Sequence, residues 1–178
     1  MSDITEFYIN GGQDHQGRTL ESMLDMPDAV FEASHDFIQT LFPLHEKSYH
    51  ARVSPIITQE DASEFQGSDV ARRNMRRALL RFVSFLGIGD PPDMKRISFW
   101  CHPGNHNMLR ITRAIRSLRL FGLDEEAKFL FGRVLAYHKM LIGDKEHTTK
   151  EYWESALKGG LFDSITKRFL SDRHIEVD

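Results

Sequence analysis

Wherever this chain is apolar, its apolar residues recur three and four positions apart. Met75, Leu79, Phe82 and Leu86 are the clearest run, closed by Gly87 in the place where helices take a left-handed stop. Alternating apolar and polar runs of four or more residues, bounded by turn signals, are hard to find, so strands have little to build on. The pattern predicts an all-α fold. A length of 178 residues fits one core, and 40% hydrophobic residues with thirteen Phe are enough to fill it. The expected architecture is a single compact multi-helix domain of about six to seven helices, spanning residues 18–178. Residues 1–17, polar and Gly-rich around Gly11 and Gly12, are expected to be an extended segment docked through Phe7 and Tyr8.

Capping residues place the elements. A short helix is expected over residues 18–26 and a longer one from Pro27 to Phe42, stopped by Pro43. Residues 44–57 read as a loop. Thr58, followed by Gln59, Glu60 and Asp61, starts a helix to about Phe65, and Ser68 with Asp69 opens the Met75 helix. Gly89, Pro91 and Pro92 mark a second loop, after which Asn105 caps a helix from His106 to Phe121. Asp124, Glu125 and Glu126 begin the next, to about Ile142, and Thr148 or Thr149 begins another that ends at Gly159. Leu161 to Leu170 reads as a last helix.

Whole classes of function fall away on composition. A net charge of −3 is neither histone-like nor that of an acidic tail. A single cysteine, Cys101, forbids an internal disulfide and a CxxC pair, which fits a reducing, cytoplasmic setting. The first thirty residues carry no basic start followed by an apolar run, and no stretch approaches a membrane span. GxGxxG, GxxxxGK[ST] and GxSxG are all missing, so no cofactor is expected.

Arginine is the densest charge feature. Arg73, Arg77 and Arg81 lie opposite the Met75–Leu86 face and form a cationic stripe suited to phosphate or nucleic acid, unless the chain's own acids, such as Glu21, Asp28 and Glu32, neutralise it. Arg110, Arg113, Arg116 and Arg119 sit on a helix that is apolar on two sides. Such a helix is either central, with its guanidiniums satisfied by carboxylates or carbonyls, or partly covered by a partner. A peptide-receptor role would predict an apolar groove near Leu109 and Leu120, open to a short aromatic peptide. His102 and His106 beside Cys101 resemble metal ligands or a small hydrolase centre, but Pro103 and Gly104 keep the two imidazoles off one helical face. His106 reads as a first-turn residue, and His35 as a buried or half-buried helix residue bonded to a neighbour.

Three blocks carry a family resemblance. His35-Asp-Phe-Ile38-Gln39-Thr-Leu41-Phe42-Pro43 resembles the HxxIQxLFP signature of the opioid growth factor receptor conserved region. Asn105-His106-Asn107-Met-Leu109-Arg110-Ile111-Thr112-Arg113, continuing through Ser117, Leu118, Gly122 and Leu123, looks like its HNxLRITRxxxSL…GL block, and Phe7-Tyr8-Ile-Asn10 is similar to its opening FYxN. The resemblance implies a compact helical domain, in the short single-domain form of bacterial members, that acts as a non-enzymatic binding or regulatory module. In animal relatives it belongs to a nuclear receptor for the pentapeptide Met-enkephalin. By motif position, His35, Gln39, His106, Asn107, Arg110 and Arg113 would either face a peptide or protein partner or stabilise the helix junction, with no catalytic residue among them.

Overall fold

A computed structural model describes residues 1–48, 51 and 53–165 of the chain. Among these it has ten helices, and an isolated bridge between Leu44 and Ile56 is the only strand-like pairing. Seven helices have at least seven residues: α1 (Asp3–Asn10), α5 (Gln59–Gly67), α6 (Asp69–Leu86), α7 (Met94–Trp100), α8 (His106–Leu120), α9 (Asp124–Leu141) and α10 (Thr148–Lys158). Three shorter ones, α2 (Leu20–Leu24), α3 (Asp28–Ala33) and α4 (Ile38–Leu41), raise the count above the six or seven expected.

The capped helices sit where their caps place them. Thr58 and Asp61 form a reciprocal capping box at α5, Ser68 caps α6 at Ala71, and Asn105 caps α8 at Asn107. Gly87 ends α6 at φ 72°; an added Cβ there would stand 2.9 Å from Arg96 Cβ, so conformation and space both demand glycine.

Four segments differ from expectation. The N-terminal segment is helical rather than extended, because Ser2 caps α1 and is itself held by Asp61 at 2.6 Å. Phe7 and Tyr8 are both buried, the Tyr8 ring stands edge to face with Phe7, Phe65 and Phe121, and Tyr8 Oη donates to the Leu41 carbonyl. The helix foreseen from Pro27 to Phe42 breaks after Ala33, where Ser34 is extended and Arg110 takes the carbonyls that a continuing helix would have used. The loop after Pro92 contains α7, capped by Asp93 and anchored by Ile97 and Trp100, whose indole donates to the Leu86 carbonyl at 2.8 Å. Of the tail helix foreseen from Leu161, residues 161–165 form turns and bends, and the remainder lies outside the described residues.

Helix α8 is the axle. It packs against α5, α7, α9 and α10, and eleven of its fifteen residues are buried, Asn107, Arg110 and Arg116 among them. Leu120 is fully buried and Leu109 half-buried, so the two leucines do not form the open peptide groove read from the sequence. A helix apolar on two sides finds neighbours on both.

Candidate functional site

Buried guanidiniums need acceptors, and here they find them at the carbonyl ends of other helices, where the last turn leaves its C=O groups unbonded. Arg110 donates to Phe31 O (2.9 Å), Glu32 O (3.3 Å) and Ser34 O (2.6 Å) at the end of α3, and Arg113 to Phe42 O (3.1 Å) at the end of α4. Arg116 donates to Ala156 O (3.0 Å), Ser155 O (2.8 Å) and Gly160 O, and Arg119 to Ala156 O (2.9 Å) and Gly159 O (2.8 Å), all at the end of α10. Arg81 does the same for α2 through Leu24 O and Met26 O. Burial lowers the Arg110, Arg113 and Arg116 guanidiniums to about 10, which still leaves them charged at neutral pH.

The stripe on α6 is correspondingly engaged. Arg77 pairs with Glu21 at 2.6 Å, and Arg81 pairs with Asp28 at 2.9 Å and lies over the Phe31 ring. Arg73 is exposed and has no ion-pair partner among the described residues.

At the junction of α3 and α8 the polar motif residues meet. The His35 and His106 rings stand edge to face with centroids 5.3 Å apart, and His106 Nε2 lies 2.9 Å from Glu32 Oε1. Asn107 Nδ2 donates to the other Glu32 oxygen at 3.0 Å, while its own carbonyl accepts from Arg110 at 3.3 Å. One carboxylate, two imidazoles, an amide and a guanidinium thus share a site that is sealed below by Arg110 and open above at His35, which is exposed, and His106, which is half-buried.

Of the six motif positions, His35, His106, Asn107 and Arg110 come together here. Gln39 is buried in α4, with its Nε2 3.4 Å from Ser48 Oγ, and Arg113 is one turn further along α8. His35 lies between α3 and α4 instead of being buried in a helix, a consequence of the break after Ala33. Glu32 is the member missed as part of this site: it falls three residues before the HxxIQxLFP block and reads as one more acid available to the α6 arginines. Its spacing from His35 is the signal that would have found it.

Cys101 does not support a nucleophile or metal reading. It follows the end of α7, is buried, and its thiol is pushed up to about 11 by that burial, the reverse of the lowering expected just ahead of a helix start. His102 is exposed and rests on Asn105, and no group of three or more His, Cys, Asp or Glu among the described residues is arranged to hold a metal ion.

The imidazoles carry a pH consequence. Burial and the Arg110 charge, with His35 adding to them and Glu32 opposing, hold His106 below its ordinary pKa; burial does the same to His45. The folded protein therefore binds fewer protons than the unfolded chain near pH 6, and stability falls as pH drops through that range. Asp14, Asp36, Asp61 and Glu146, held low beside their partners, lose their contributions only at still lower pH. The melting midpoint is expected to fall between pH 7.5 and 5.5, less so in His106→Gln; a midpoint that rises on acidification would contradict it.

The family model described as the opioid growth factor receptor conserved region matches residues 19–158, from the start of α2 to the end of α10. The chain belongs to the opioid growth factor receptor conserved-region family. Among curated relatives, it is 28% identical over 127 residues to an opioid growth factor receptor of Mus musculus, an alignment covering 62% of this chain and 20% of that protein. It is 29% identical over 136 residues to the opioid growth factor receptor-like protein 1 of Mus musculus, covering 71% of this chain and 28% of that one. The chain thus spans about a fifth to a quarter of the length of these relatives. No solved structure matches it. The relatives carry the name of receptors rather than enzymes, and no helix among the described residues is long and apolar enough to cross a membrane. The α3–α8 junction falls wholly inside the family-matched span.

Proposed function

We propose that the chain is a non-catalytic binding module whose α3–α8 junction takes a short peptide with a free ammonium group and an aromatic side chain. The observation that carries this reading is the convergence of Glu32, His35 and His106 at an open edge, above the buried Asn107. Its carboxylate suits an ammonium group, and its imidazole rings offer edges and faces to an aromatic one. Arg110, bonded to three carbonyls, fixes the floor, and the Glu32 carboxylate opposes its charge at the site. The relatives' name as opioid growth factor receptors supports a peptide as the partner class.

Titration of the labelled protein with Met-enkephalin, followed by NMR, tests the reading. Shifts are expected at His35, His106 and Asn107. Glu32→Gln should weaken binding by about tenfold, the scale of one charge-assisted hydrogen bond. Shifts confined to other surfaces, or no binding at concentrations approaching millimolar, would overturn it. Salt-sensitive binding of an oligonucleotide that depends on Arg73 would move the function to the α6 stripe instead.

A further inference from the structure

The carboxylate that suits a ligand's ammonium group is shared with an imidazole of this chain. Glu32 Oε2 accepts from Asn107 Nδ2 at 3.0 Å, and Glu32 Oε1 lies 2.9 Å from His106 Nε2. That ring nitrogen is buried and aligned for a hydrogen bond with neither Glu32 nor any other group. The Glu32 side chain keeps 25% of its surface exposed, so its outer edge is open to a ligand. With a neutral ring inside, the carboxylate's charge is left to whatever binds from outside. A protonated ring turns the 2.9 Å contact into an ion pair across a partly dry gap, and both charges are then spent on each other.

The surroundings set when the ring charges. His106 is the first residue of α8, behind the Asn105 cap, and Arg110 stands one turn further on. The positive end of the helix and the Arg110 guanidinium both oppose a charge on the ring. His35, from the link after α3, opposes it as well, Glu32 alone favours it, and His102, on the loop before α8, rests on Asn105. With burial added, His106 is held below the ordinary imidazole range, neutral at neutral pH and protonated only in mild acid. We propose that His106 gates the α3–α8 junction: on acidification its imidazolium takes the Glu32 carboxylate and an ammonium-bearing peptide is released. The gate rests on the junction being the peptide site. Ring proton and ligand ammonium compete for one carboxylate, so each weakens the other by the same factor.

Calorimetric titration of the full chain with Met-enkephalin at about pH 6.8 and about pH 5.0 tests the gate, with the fold checked by circular dichroism at each; this window lies above the ordinary carboxylate values and below that of an α-amino group, so imidazoles do the titrating. The dissociation constant is expected to rise about three- to tenfold at the lower pH, the dependence of one proton excluding one ligand. His106→Gln should bring the ratio of the two constants close to one whatever its affinity at the higher pH, and His35→Gln should leave the ratio above about threefold. By the same linkage, the ring resonances of His106 should titrate at lower pH with peptide present than without it. Equal affinity at the two pH values, or a ratio that survives His106→Gln, would overturn the gate and leave the peptide site standing. No binding at either pH would overturn both.

Discussion

Arg116→Met is expected to destabilise the domain by about 2 to 3 kcal/mol, the scale of losing hydrogen bonds made by a charged donor. Arg116 is 1% exposed, and its guanidinium bonds Ala156 O, Ser155 O and Gly160 O at the end of α10. Methionine matches much of the stem volume and fills the space, so the loss isolates the polar contribution: the Ala156, Ser155 and Gly160 carbonyls lose the guanidinium and keep only Arg119, the Gly159 N–H and the Asp163 N–H respectively. Lysine should not rescue the variant, because one ammonium lacks the planar fork that reaches carbonyls on two sides. Urea unfolding followed by circular dichroism measures the effect, and a loss below about 1 kcal/mol would show that water replaces the side chain at these carbonyls.

Trp153→Ala is the second large effect, about 3 to 5 kcal/mol for an indole truncated in a packed interior. Trp153 is fully buried, donates Nε1–H to Met108 O at 3.1 Å and stands edge to face with His138 at 5.5 Å between centroids. Because Arg116 and Trp153 both fasten α10 to α8, their losses should not add. Once either is gone α10 is already loosened, and the double variant should fall short of the sum by more than about 0.5 kcal/mol in a double-mutant cycle. Strict additivity would mean that the two ends of α10 are held independently.

The helices that the sequence specified well are those whose ends are written locally. Thr58 with Asp61, Ser68, Asn105, Gly87 and Gly122 lie within a few residues of the backbone groups they satisfy, so their role can be read from neighbours alone. What escaped was decided at a distance. Apolar residues continue from Val30 to Phe42, and only the Arg110 side chain, more than seventy residues away, explains why the helix opens at Ser34. Helix α7 escaped because two prolines precede it and only two of its seven side chains are buried. The N-terminal helix is eight residues long, too short for periodicity to speak, and part of what holds it is Asp61 on another element. At the candidate site the family motifs brought in His35, His106, Asn107 and Arg110. They gave no hint that Gln39 turns inward to Ser48, because spacing on one helix says nothing of which neighbour the amide meets.

The capping of helix ends by arginines from α8 also has a temporal side. During synthesis α8 leaves the ribosome after α3 and α4, so Arg110 and Arg113 find their carbonyl partners already made, but Arg116 and Arg119 must wait for residues 155–160. Until α10 emerges, the nascent chain carries Arg116 and the apolar seam meant for Trp153 with nothing against them, and Arg119 with only Asp124. A chain arrested or cleaved between α9 and α10 would therefore be a target for chaperones and proteases rather than a smaller folded domain.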